Sequence, residues 1–316
     1  MSIVAAWAIG VALALCSSPA AGAVFRTGAP VMGTVLQVTI VAADDAAARQ
    51  LADAALAEAR RWDDILTTWR ADGELAQLAA HAGAGPTAVS EDLAAALRSM
   101  QRLSTATAGA FDPAVGPLVD LWRGPAPPSA AQLAGAAPAQ LATVLALDGR
   151  RATLVRGAKL DAGGVGKGVA LDAISALLRA RGVQAAYLDF GGSSQLAIGA
   201  PPDSPDGWRV AVSGLTPQQM HGVLTLRDAA LSTSRALGGP SAAGPIIDPR
   251  TRQPVPGPQL ATVRAADATT AEAWSKAVLV LGHGGVERAN ANGIEVLRED
   301  ANGLERTSGF ALEPLL

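Results

Sequence analysis

Lys167 lies in Asp161-Ala162-Gly163-Gly164-Val165-Gly166-Lys167-Gly168, where four of the last six residues are glycine and a helical pattern follows. Backbone N–H groups in such a turn can meet a phosphate, helped by the helix dipole and the lysine. It is not a Walker A loop, because Gly168 stands where Ser or Thr would follow the lysine, and it does not fit G-x-G-x-x-G. A plain helix-entry loop is the competing reading. Upstream, Phe111-Asp112-Pro113-Ala114-Val115-Gly116-Pro117 combines two prolines and a glycine, which fix an irregular, rigid loop suited to gripping a ligand. Its bland alternative is a turn in which Asp112 acts as a local cap.

Three further segments carry polar chemistry. Leu188-Asp189-Phe190-Gly191-Gly192-Ser193 reads as a strand ending in paired glycines, where a ligand or another backbone can come close. Ser232-Thr233-Ser234-Arg235 offers hydroxyls, and Ile246-Ile247-Asp248-Pro249-Arg250-Thr251 offers an Asp-Pro turn. In Ala271-Glu272-Ala273-Trp274-Ser275-Lys276, Glu272 and Lys276 are i and i+4 neighbours. The default for that spacing is an ordinary intrahelical ion pair worth about 0.3–0.5 kcal/mol.

Other chemistries find no support. H-E-x-x-H, C-x-x-C and G-x-S-x-G do not occur, and His81, His221 and His283 lack metal-ligand spacing. The net charge of −3 and the lack of a long Lys/Arg run argue against nucleic-acid binding. With 49% hydrophobic and 17% charged residues, the chain can bury a full core, so intrinsic disorder is excluded.

The elements that must position these residues are mixed α/β. Helices are expected over Asp44 to Trp69, from an N-cap at Ser90, over Gly168 to Arg181 and over Thr269 to Leu281. Strands are expected over Val35 to Val41, Ala186 to Phe190, Trp208 to Val212, Val223 to Leu226, Ala229 to Thr233 and Ile294 to Leu297. A hairpin with a turn at Asp148-Gly149 spans Val144 to Val155, and Gly124 to Pro138 is a surface connection. The order does not alternate strictly enough for a doubly wound sheet.

Taken together and in order, these segments resemble the FAD:protein FMN transferase (ApbE-like) family. The likeness runs from Val31-Met32-Gly33-Thr34 to about Gly282, with Thr68-Trp69-Arg70 and Gly109 to Trp122 as further anchors. It implies a mixed α/β, tunnelling-fold-like flavin transferase domain with a helical cap. It also implies FAD as substrate, Mg²⁺ as cofactor, and FMN transfer to a Ser or Thr hydroxyl of a partner redox protein, the flavin acceptor. Residue by residue, the resemblance places Met32 and Trp69 beside the flavin or adenine. Ala110, Phe111 and Asp112 would line the dinucleotide. Lys167 would lie near the pyrophosphate and Ala173 near the same ligand, which Ile247 would contact from the Asp-Pro loop. The Ala170 carbonyl and Glu272 match metal-ligand positions, and Asp248 and Lys276 are the candidate catalytic residues.

The chain departs from the family pattern at several of these places. The late-helix Asp and Thr/Ser ligands are Glu272 and Lys276, the His of His-x-Ile-Asp-Pro is Pro245, and Arg235 and Ser193 replace smaller or acidic residues. Two readings stay open: a divergent transferase, or a non-catalytic flavin-binding or accessory relative with an altered metal site. Ile3 to Leu15 followed by Ala21-Gly22-Ala23 is expected to be a signal peptide (1–23) ahead of one domain (24–316), giving a periplasmic protein. Leu15 before Cys16 argues against a lipid anchor, so membrane association would come only through the acceptor or such an anchor.

Overall fold

The computed structural model describes residues 23–136, 140–216, 218–237 and 246–314. The expected signal segment up to residue 22, Cys16 and Pro245 lie outside the described residues. Eight strands form one wholly antiparallel sheet, in the order Ala23–Val31, Thr34–Ala42, Ala185–Phe190, Ser194–Ile198, Ala229–Ala236, Gln259–Ala265, Glu295–Asp300 and Gly303–Arg306. The two opening strands are joined by the two-residue turn Met32-Gly33, both at positive φ (51° and 73°). A turn of that type matches the right-handed strand twist.

Alternation along the strands divides the interior in two. Ala186, Leu188 and Phe190 face the larger core, under the helices Asp45–Leu66, Gly166–Ala180 and Ala268–Leu281. Ala185, Ala197, Leu231, Leu260 and Leu297 face the opposite side, where the hairpin Trp208–Ser213/Met220–Leu226 covers them. Tyr187 stacks on Trp208 there, ring centroids 5.6 Å apart. The cap is built from the helix Glu91–Ala106, shorter helical turns and a small three-stranded sheet that includes the expected hairpin.

Local signals set the helix ends. Asp44, Ser90 and Asp267 each accept a backbone N–H three residues on, at 2.8, 3.0 and 2.7 Å. Gly182, at φ 81°, ends the 166–180 helix, with Val183 N–H donating to Leu178 O at 3.0 Å.

Several expectations need correction. The first helix stops at Leu66, because Thr67 turns to an extended conformation. Trp69 therefore leaves the helical stripe and is 76% exposed. The connection at 124–138 keeps a surface position where described but adds a short helix without a buried residue, Ala130–Gly135, opened by a Ser129–Gln132 capping box; residues 137–139 lie outside the described set. The strands Ala23–Val31, Ser194–Ile198, Gln259–Ala265 and Gly303–Arg306 were not expected from the sequence. Gln259–Ala265 is buried on both faces, so it lacks the alternation that marks a half-exposed strand.

Candidate functional site

The Phe-Asp-Pro loop leaves the 91–106 helix through Ala108 and Gly109, both at positive φ. Phe111 N–H is held by Thr107 Oγ1 at 3.1 Å. The Asp112 carboxylate accepts N–H groups from Ala114 at 2.9 Å and Leu141 at 2.9 and 3.0 Å, and the Ser104 hydroxyl at 3.0 Å. Its carboxylate is thus spent as a cap on the loop itself. Burial raises its pKa, against the opposing pull of these donors. Pro113 O accepts Asp161 N–H at 2.7 Å, which ties this loop to the glycine turn.

The glycine turn is less free than its composition suggests. Gly163 N–H donates to Asp161 Oδ1 at 2.6 Å, Gly166 N–H to Ala162 O at 2.6 Å, and Gly168 N–H to Glu272 Oε2 at 3.0 Å. Three of the four glycine donors are therefore engaged inside the protein, which corrects the expectation of a backbone phosphate cradle. Positive charge must come from side chains instead.

Those side chains converge. A cleft of about 260 Å³ is lined by Phe111 and Gly164 on one side, Ile247 on another, and by the cations Arg123, Lys167, Arg235 and Lys276. Ala110 and Asp112 also line it, as do Ser194, Thr233 and Ser234. Lys167 Nζ donates to Ser193 Oγ at 2.8 Å and lies 3.7 Å from Glu272 Oε1. Arg235 reaches the carbonyl of Gly214 at 3.1 Å, and burial lowers its pKa.

Glu272 is fully buried beneath the cleft, so the intrahelical ion pair expected from its spacing to Lys276 is present, at 4.0 Å, but in a buried setting. Its Oε1 accepts the Ser194 hydroxyl at 2.5 Å, and the ammoniums of Lys167 and Lys276 lie 3.7 and 4.0 Å from the same oxygen. Burial pulls the Lys276 pKa from 10.5 down to about 8, with Glu272 opposing the shift and Lys167 adding to it. Ser275, the residue before Lys276 on the same helix, bonds Ser234 at 2.8 Å and Ser232 at 3.1 Å. The 268–281 helix is thereby stitched to the hydroxyl run.

The other expected residues lie outside the cleft lining. Met32 occupies the first hairpin turn; its Cε lies 3.4 Å from where a Cβ on Gly166 would sit. Ala170 is wholly buried and Ala173 packs against the core, both on the 166–180 helix. Trp69 meets the site through Arg123, whose guanidinium lies 4.4 Å from the indole centroid while also lining the cleft. Asp248 is not among the lining residues; Arg250 binds its Oδ1 at 3.0 Å and Oδ2 at 2.9 Å, and also reaches Val280 O at 3.0 Å. Ser194, Arg123 and Ser275 were not singled out by the sequence. The signal for Ser194 was its place just after the paired glycines.

A wider hollow of about 560 Å³ contains none of the expected site residues. Its Asp172 is a structural group that accepts Ala268 N–H at 2.7 Å and Thr269 N–H at 2.9 Å, capping the neighbouring helix. Burial raises its pKa to about 6.

An antiparallel α/β frame with a cationic cleft between a glycine turn and a rigid Phe-Asp-Pro corner defines a protein built to receive a phosphorylated ligand. The ApbE family model matches residues 32–298, and the chain belongs to that family. An FAD:protein FMN transferase of Klebsiella pneumoniae is 29% identical over 286 residues, covering 84% of this chain and 81% of its own length. One of Vibrio cholerae is 27% identical, covering 96% of each. The apo structure of flavinyl transferase ApbE from Pseudomonas stutzeri superimposes with a TM-score of 0.82 at 25% identity, over 92% of this chain and 96% of that one.

The Mg²⁺ site implied by the resemblance does not fit the residues present. Mg²⁺ takes octahedral oxygen ligands at about 2.0–2.1 Å. Both Glu272 oxygens already accept hydrogen bonds, and the position that would offer a hydroxyl ligand is an ammonium 4.0 Å from Oε1. Among the described residues, no group of three His, Cys, Asp or Glu side chains is placed to hold a metal.

Proposed function

We propose that this chain is an FAD:protein FMN transferase that moves FMN onto a Ser or Thr hydroxyl of a partner redox protein and releases AMP. Phe111, Lys167 and Ile247, drawn from three separate segments of the chain, meet in one cleft with four cations around it. That convergence is the observation that carries the reading. The enzyme class is also that of its family relatives.

The cleft is small for a whole dinucleotide, since drug-sized ligand sites run to about 300–1,000 Å³. The diphosphate would sit among Lys167, Lys276 and Arg235, and one ring system would extend over Arg123 to Trp69. In the transfer, the acceptor hydroxyl oxygen forms a bond to the FMN phosphorus as the P–O bond to the AMP phosphate breaks. AMP leaves with the bridging oxygen, and the hydroxyl proton passes to solvent. The cations stabilise charge on the leaving phosphate, which is the larger part of catalysis in phosphoryl-type transfer. The Asp248–Arg250 pair would hold the Ile247 loop in place. Export through residues 1–23 would bring the enzyme to periplasmic acceptors.

The test is incubation of the purified chain with FAD and a flavin-acceptor protein. Covalent flavin fluorescence on the acceptor, with AMP released in equal amount, is expected. Tight FAD binding with no covalent product would overturn the transferase assignment.

A further inference from the structure

Lys276 is the least satisfied charge in the site. Its side chain is 17% exposed, it lines the cleft, and its ion pair with Glu272 Oε1, at 4.0 Å, is too long for a hydrogen bond. An ammonium has three donors. Lys167, by contrast, already donates to Ser193 at 2.8 Å. The carboxylate beneath them is anchored from below by Gly168 N–H and Ser194 Oγ, so it does not need Lys276 to satisfy its oxygens. One carboxylate and two ammoniums leave the floor of the cleft with a net single positive charge. A divalent ion brought to Glu272 would have to displace its present donors and sit against two cations, a repulsion that the buried setting enlarges.

We propose that the Lys276 ammonium fills the charge role of a divalent cation at the FAD diphosphate, so that this chain binds FAD without metal. The inference rests on the FAD reading above. The unspent donors of Lys276 would meet a diphosphate oxygen directly, while Glu272, pinned by Gly168 and Ser194, fixes where the ammonium sits. An ammonium is a compact point charge and imposes no coordination geometry, so it can replace the ion's charge but not its ligand polyhedron.

The experiment measures FAD affinity of the full chain by flavin-fluorescence quenching, in chelator and in millimolar Mg²⁺. The two dissociation constants are expected to agree within about twofold, far below the ~1.4 kcal/mol that a tenfold change represents. Tightening of tenfold or more by Mg²⁺, ~1.4 kcal/mol on the same scale, overturns the proposal. In Lys276→Met, FAD binding in chelator is expected to weaken about tenfold or more, the scale of a lost charge-assisted hydrogen bond. Riboflavin, which has no phosphate, is expected to bind both proteins equally. Equal loss of riboflavin and FAD binding, or no loss of either, overturns the proposal. Should the Met variant fail to fold, Lys276→Gln is read in the same way. If the unaltered chain binds no FAD in either buffer, the FAD reading itself fails, an outcome distinct from a metal response.

Discussion

The backbone N–H of Gly168 donates to Glu272 Oε2 at 3.0 Å, and this contact exists because residue 168 has no side chain. A Cβ there would lie 2.5 Å from the carbonyl oxygen of Ala268. Glycine thus lets the 166–180 and 268–281 helices approach until a backbone donor reaches a buried carboxylate. Gly168→Ala gains about 1 kcal/mol of helix propensity. It forces a backbone clash in a packed interface, a class of change that costs typically 1–3 kcal/mol. The clash is against backbone, which cannot rotate aside, so its cost falls at about 2–3 kcal/mol and the net expectation is a loss of about 1–2 kcal/mol in urea unfolding. Unchanged or higher stability would show that the helices can part at no cost. FAD affinity should fall as well, because Glu272 would lose its anchor.

Trp69 tests whether the ligand extends beyond the cleft. It is 76% exposed, so its removal should leave stability within about 0.5 kcal/mol. Its indole and the Arg123 guanidinium, 4.4 Å from the ring centroid, form a flat platform at the rim. Stacking of a ring system there should contribute about 0.5–1.5 kcal/mol. Trp69→Ala is therefore expected to weaken FAD binding about two- to tenfold by fluorescence quenching, with Trp69→Phe restoring most of it. Equal affinity in the Ala variant would place both rings elsewhere.

Much of this site was legible because irregular backbone requires particular residues. Phe111 sits where two prolines and Gly109 dictate a rigid corner, and Ile247 beside an Asp-Pro turn; both line the one cleft. The opening strand Ala23–Val31 alternates half-buried and exposed residues, a pattern that the preceding apolar run in the sequence obscures. Trp69 was assigned to the first helix because it continues the spacing from Leu66. Only the extended conformation of Thr67 breaks the helix there. Glu272 and Lys276 carry the same i, i+4 signature as any surface pair. What decides their burial is the arrival of Gly168 and Ser194 from more than seventy residues away in sequence, which no local pattern encodes.

Glu299 makes the acid stability of the outer core testable. It accepts hydrogen bonds from Leu215 N–H at 3.0 Å, Gln219 Nε2 at 2.6 Å and His221 Nε2 at 2.8 Å, which fastens the covering hairpin to the sheet. Burial alone would raise its pKa, but these bonds outweigh that and hold the carboxyl below its usual range. Between the native and unfolded values the unfolded chain binds more protons, so stability rises with pH across that window. The contribution is complete above the unfolded carboxyl value and is lost as pH falls through the native one. Glu299→Gln is expected to flatten the acid limb of a stability-against-pH curve measured by urea unfolding. An acid limb of unchanged slope would contradict this.

Asp248 was a catalytic candidate, and its surroundings suggest a different experiment. Burial raises its pKa, but the Arg250 fork more than offsets this and keeps the carboxyl below the usual range, which makes it a weak proton acceptor. The same guanidinium reaches Val280 O at 3.0 Å, so the pair joins the Ile247 loop to the end of the 268–281 helix. If the pair positions that loop, Asp248→Asn and Arg250→Met should share one defect: KM for FAD rises several-fold while kcat changes less than about threefold. Arg250→Lys should not rescue, because a point charge cannot hold both carboxylate oxygens and the carbonyl at once. If Asp248 instead takes the proton from the acceptor hydroxyl, Asp248→Asn alone should lower kcat by about a hundredfold or more with KM unchanged. Steady-state transfer kinetics on the two variants side by side separate these outcomes, and the shared KM defect is the one expected.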